Sequence, residues 1–143
     1  MREKSRYQMN VSVVTESLRM RAGKDTPEEE AARVWKKFSE TRQEPVKMAM
    51  ALWGYFLKEG ISIQQRQEMA AYLKPRVRNA VEALIEEDEP EKIAVLEQAG
   101  WFGEKELDDF IRTARERQKL QALVYLMKEK DTHYGYREEM LEL

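Results

Sequence analysis

The chain contains no cysteine and only one histidine in 143 residues. The absence of cysteine excludes disulfides, thiolate metal sites and a cysteine nucleophile. It suits a reducing compartment, so a cytoplasmic protein is the expectation. A zinc site built on the lone His133 would need three carboxylates beside it, an uncommon ligand set. A serine or threonine nucleophile would have only that one imidazole as base, near the C-terminus. The glycine-rich signatures GxGxxG and GxxxxGK[ST] are missing too, which speaks against a nucleotide-dependent enzyme. The longest uncharged apolar run, Met48 to Leu57, is ten residues, too short to span a bilayer. The first apolar stretch is broken by Asn10, Ser12, Thr15 and Glu16, unlike a signal peptide. These absences lead to the expectation of no enzyme activity, no cofactor, no metal and no membrane contact.

Charge is what the chain has in excess. Charged residues make up 36% of it and hydrophobic ones 42%, a mixture suited to thin helical layers in which each helix keeps a solvated face. The net charge of −2 conceals an asymmetry. Residues 1–24 hold six basic residues (Arg2, Lys4, Arg6, Arg19, Arg21 and Lys24) against Glu3 and Glu16, a balance of +4, which leaves −6 for the rest. A basic arm on an acidic body could contact nucleic acid or an acidic partner. The simpler reading is a solvated, partly flexible leader. Tyr7, Met9, Val11 and Val13 alternate with polar residues in a strand-like period, so a short extended segment is also considered there.

From residue 25 onward the pattern is helical. Thr26-Pro27-Glu28-Glu29 reads as a capping box with proline in the first turn, opening a helix with Ala31, Val34, Trp35 and Phe38 on one stripe. Pro45 to Glu59 forms the next helix, with Gly60 after its end and no polar face along its middle, as expected of a central helix. Ser62 caps a helix with Met69 and Leu73; Pro75 opens another, Asp88-Glu89-Pro90 breaks and restarts the chain, and Gly103 or Glu104 starts the sixth. The last helix carries Leu120, Leu123, Val124, Leu126 and Met127. Glycine and proline are expected at helix ends throughout, and the tail from Asp131 is expected to be loose or briefly helical.

The most specific feature is self-similarity at an offset of thirty residues. Val77, Ala80, Val81 and Leu84 map onto Leu107, Phe110, Ile111 and Ala114, and Ile93 and Leu96 map onto Leu123 and Leu126. The junction Glu87-Asp88-Glu89-Pro90 maps onto Arg117-Gln118-Lys119-Leu120. Each unit is two short antiparallel helices that bury their stripes only by stacking. The segment LEQAGWFGEKELDDFIRTARERQKLQALVYLMKEK resembles the terminal ankyrin-like repeat of uncharacterised multidomain proteins in Firmicutes. The resemblance rests on Gly100, the apolar pair Trp101-Phe102 and the closing Lys128-Glu129-Lys130, and it covers about residues 75–130. The Thr-Pro-Leu-His signature of ankyrin repeats is missing, and the hairpin fingers between repeats look reduced. The resemblance implies binding through a concave helical face, without chemistry.

The fold expected is therefore all-α, a short ankyrin-like or α-solenoid-like stack of antiparallel helix pairs. The arm covers residues 1–24, the helical domain 25–130 with its two pairs at 75–130, and the tail 131–143. The expected function is a protein–protein interaction module or a small inhibitor or adaptor, with homodimerisation an open expectation. Candidate partner-binding residues are Lys105, Asp108, Asp109 and Arg112. The alternative is a nucleic-acid-associated accessory protein using Arg2, Lys4, Arg6, Arg19 and Arg21. Lys74, Arg76 and Arg78 alternate along the chain, so a helix would scatter them around its circumference. The acidic run Glu86, Glu87, Asp88, Glu89 and Glu91 lacks the glycine and the alternating ligands of an EF-hand and reads as a helix junction. Trp101 and Phe102 read as core plugs.

Overall fold

The structure is a computed structural model and describes residues 25–134. Among these the protein is all-α, with seven α-helices and no strand. They are α1 (Pro27–Glu40), α2 (Glu44–Tyr55), α3 (Ile63–Leu73), α4 (Val77–Glu86), α5 (Pro90–Gln98), α6 (Glu104–Glu116) and α7 (Leu120–Glu129). A 3₁₀ turn, Lys74–Arg76, precedes α4, and a π-helical turn, Lys130–Tyr134, follows α7. No helix of the described residues is long and apolar enough to cross a membrane. The strand-like segment expected at residues 7–13 lies outside the described residues. The chain falls into two compact units that divide between Ala83 and Leu84.

In the first unit α1 packs on α2 and α2 on α3. Thr26 starts α1 as expected, its hydroxyl accepting the Glu29 amide at 3.1 Å. Ser62 and Gln65 close a reciprocal capping box at the start of α3. The core gathers Ala31, Val34 and Phe38 from α1, Met48 through Leu52 from α2, and Met69 and Leu73 from α3. The central position expected for α2 is thus observed, but the helix is shorter than expected and ends at Tyr55. Its end is held from α3, where the Arg66 guanidinium donates to the carbonyls of Tyr55 and of Leu57, the latter at 2.8 Å. Carbonyls at a helix end run out of amides to accept, and a planar fork can serve two of them at once.

Two glycines are held by their surroundings. Gly54 is the last residue but one of α2, where a methyl group would strike the Met69 thioether and crowd Val34. Gly60 has φ +85°, and a side chain there would meet Ala31 Cβ at 2.6 Å and the Pro27 carbonyl oxygen at 2.9 Å. Both the left-handed backbone and the close approach to α1 require glycine. Gly60→Ala is expected to lower stability by about 2–4 kcal/mol, combining left-handed strain with a clash against backbone. Urea denaturation checks this; a loss under about 0.5 kcal/mol, as for ordinary surface changes, would show that the loop simply moves aside.

In the second unit α6 and α7 form an antiparallel hairpin, and α5 packs along α7. Ile93, Leu96, Leu107, Phe110, Ala114, Ala122 and Leu126 are buried. Phe102 plugs this core as expected, with its ring edge-on to Phe110 at 5.1 Å between centroids. The two junctions thirty residues apart have the same backbone geometry. Asp88 (φ 54°) and Gln118 (φ 57°) both adopt the left-handed conformation. At each, two hydrogen bonds close the preceding helix: Asp88 N–H to Ile85 O and Glu89 N–H to Leu84 O, then Gln118 N–H to Arg115 O and Lys119 N–H to Ala114 O. This is the Schellman arrangement, and it recurs at Gly100, where the Trp101 amide donates to Leu96 O at 3.1 Å.

The acidic run at the first junction is answered by protein groups. Glu86, with a side chain only 3% exposed, faces Arg117 at 3.4 Å and Lys119 at 3.7 Å. Glu89 pairs with Lys92 at 2.8 Å. Asp88 Oδ1 accepts the Ala122 amide at 2.8 Å. That amide is in the first turn of α7, whose own N-cap position is Lys119, a residue whose side chain offers no acceptor. A carboxylate from the preceding junction therefore does the capping.

Candidate interaction site

Lys105, Asp108, Asp109 and Arg112 lie on α6 at positions i, i+3, i+4 and i+7, a spacing that brings all four to one face. That face is opposite the one that buries Leu107, Phe110, Ile111 and Ala114. Lys105, Asp108 and Arg112 are exposed and Asp109 is half-buried. Asp109 pairs with Arg112 at 3.6 Å, and Asp108 forms a salt bridge with Lys130 at the end of α7. The structure thus gathers the four residues as a patch of two basic and two acidic side chains. The alternative set, Arg2, Lys4, Arg6, Arg19 and Arg21, lies outside the described residues.

A second group of polar residues was missed in the sequence. Tyr125, Glu129 and His133 recur every four residues, and Tyr125 and Glu129 reach Glu97 on α5. The Tyr125 hydroxyl donates to Glu97 at 2.7 Å, and His133 Nε2 lies 2.8 Å from the Glu129 carboxylate. The signal was the Tyr-x₃-Glu-x₃-His spacing; His133 itself is exposed. Burial is the main cause that lifts the Glu97 carboxyl above its ordinary 4.5; Glu129 adds to the rise, while the Tyr125 hydrogen bond and His133 oppose it. Burial and the Glu97 hydrogen bond likewise raise the Tyr125 hydroxyl. Among the described residues no three His, Asp or Glu side chains are grouped so as to hold a metal ion.

A carboxyl whose pKa is raised in the folded state contributes stability below its unfolded pKa and loses it as pH climbs through the folded value. The protein should therefore gain stability from this group as pH falls from neutral toward 4.5. Glu97→Gln keeps an acceptor for Tyr125 without the charge, so it should flatten that part of the melting-temperature curve. An unchanged pH profile would show that Glu97 titrates like a solvated carboxyl.

A third surface is apolar. Leu120, Val124 and Met127 on α7 are exposed, while Ala122 and Leu126 face the core. The last helix thus divides its apolar residues between two faces.

No protein-family model, curated protein or solved structure matches the chain. Its function is therefore argued from its own geometry.

Proposed function

We propose that this chain is a non-enzymatic protein–protein interaction module, a small cytoplasmic adaptor or inhibitor built on ankyrin-like helix pairs. The observation that carries the reading is the repeated junction. Asp88 and Gln118 share one conformation and one hydrogen-bond pattern at the offset of the sequence repeat. The turns recur where a stack of helix pairs would need them, and stacks of that kind present a row of side chains to a partner. The α6 patch of Lys105, Asp108, Asp109 and Arg112 is the row proposed to receive it. With two ion pairs in and around it, the patch favours specificity and encounter rate over raw affinity.

The test is affinity enrichment from the native host with the full chain and with a Lys105→Glu/Arg112→Glu variant. A protein retained by the first at moderate salt and lost by the second supports the reading. Enrichment indifferent to the variant would remove the α6 patch from it.

The charge asymmetry of residues 1–24 favours one alternative, a nucleic-acid-associated accessory protein. Binding through phosphates must weaken steeply with salt, because each neutralised phosphate releases a counterion. Fluorescence anisotropy with duplex and single-stranded probes, on the full chain and on a chain starting at Asp25, separates the two. Submicromolar affinity near 0.15 M salt that vanishes with the arm would replace the interaction-module reading.

A further inference from the structure

Beyond Leu126 the end of α7 has no core to hold it, since none of residues 127–133 is buried. Polar ties close this end instead. The Tyr125 hydroxyl donates to Glu97 Oε1 on α5 at 2.7 Å, Glu129 reaches the same carboxyl, and His133 Nε2 stands 2.8 Å from Glu129 Oε2. These side chains make one line, Tyr125–Glu97–Glu129–His133. Ionised carboxylates only accept hydrogen bonds, so two carboxyls in contact need a proton between them. The residues three and four positions either side of Glu97 are Ile93, Ala94, Gly100 and Trp101, so its own segment brings no charge to offset a second carboxylate. Lys130 is engaged with Asp108 on α6, an acid more than half exposed, and an exposed pair is a weak tie. Lys128 and Asp131 are exposed.

We propose that one proton shared by Glu97 and Glu129 is a latch: in place, it closes the last turn of α7 on α5, and its loss releases that turn together with the turn Lys130–Tyr134. Burial above all keeps the proton on Glu97, with Glu129 adding to it, against the pull of the Tyr125 hydrogen bond and of His133. The closed state therefore binds the proton more tightly than an open one in which both carboxyls meet water. Rising pH through the raised Glu97 value favours opening, and falling pH toward 4.5 favours closure. Once the proton is lost, two carboxylates lie against each other at a half-buried site, and moving apart into water relieves their repulsion. Tyr125 stays a donor throughout, because burial and the Glu97 hydrogen bond raise its hydroxyl. Helix ends open at little cost, so a single protonation can decide the state of this one. The latch lies within the second unit and does not rest on the interaction-module reading.

Amide exchange of the full chain tests the latch, read residue by residue by NMR between about pH 5 and about pH 8 and corrected for the intrinsic pH dependence of exchange. The Lys130 amide donates to the Leu126 and Met127 carbonyls. Its protection should fall about tenfold across that range, the worth of one hydrogen bond to a charged group. The Leu126 amide, further inside α7, should change much less. Glu97→Gln reproduces the protonated acid, with an acceptor for Tyr125 and an N–H for Glu129, so Lys130 should stay protected throughout. His133→Asn keeps an N–H donor but has nothing to titrate, and the fall should persist in it. Constant Lys130 protection in the wild-type chain would overturn the proposal. So would a fall that survives Glu97→Gln, or one that vanishes in His133→Asn, which would assign the switch to the imidazole.

Discussion

Phe110→Ala should be among the most damaging single changes, lowering stability by about 3–5 kcal/mol, the usual range for removing a large aromatic from a packed core. Phe110 is 1% exposed and sits at the centre of the second unit's core, with the Phe102 ring edge-on at 5.1 Å. Truncation removes buried apolar surface and the ring–ring contact together and leaves a cavity between α6 and the 101–103 loop. Against a typical stability of about 5–15 kcal/mol, that is a large share. Phe110→Leu fills much of the volume without the ring contact and should recover more than half the loss. Urea unfolding of the three proteins measures this, and a loss below about 1 kcal/mol for alanine, far under the core range, would place Phe110 outside the core.

Arg117→Ala should cost about 3 kcal/mol, the low end of the range for leaving a buried charge without its partner. The Glu86 carboxylate would lose Arg117, the nearer cation, and keep Lys119 at 3.7 Å. The loss should respond weakly to added salt, since screening acts mainly between exposed charges. Replacing both Glu86 and Arg117 by leucine should restore much of the stability, because the desolvation cost of the pair disappears with its attraction. A double-mutant cycle built on these variants isolates the coupling. A cost under about 0.5 kcal/mol for Arg117→Ala would equate the pair with an ordinary surface ion pair.

Features written locally were legible before the structure. Thr26, Ser62 and Pro90 mark helix starts because capping needs only a few neighbouring residues. The turns at Asp88 and Gln118 stood out as one junction repeated, and they share one geometry. What was hidden depends on distant partners. A side chain in place of Gly54 is barred by Met69 on another helix. The end of α2 at Tyr55 reflects Arg66 reaching from α3. Among the five large apolar residues on α7, periodicity alone does not separate Leu120, Val124 and Met127 from Leu123 and Leu126; the thirty-residue repeat does, by matching Leu126 to the buried Leu96. Of the two candidate sets of residues, the α6 patch was readable because helical spacing alone brings it together, whereas the meeting of Glu97 with Tyr125 needs two helices packed side by side.

The Asp88 carboxylate that caps α7 also bears on the order in which the second unit assembles. Its hydrogen bond to the Ala122 amide joins residues 34 apart in the chain. The α6–α7 hairpin can close by itself, but the first turn of α7 is secured only after the 87–89 turn has formed beside it. Amide exchange should therefore report the Ala122 proton as a late arrival in refolding, protected after the amides in the middle of α7. In an Asp88→Gly chain, which keeps the left-handed turn and removes the acceptor, that one proton should exchange early while the rest of the helix stays closed.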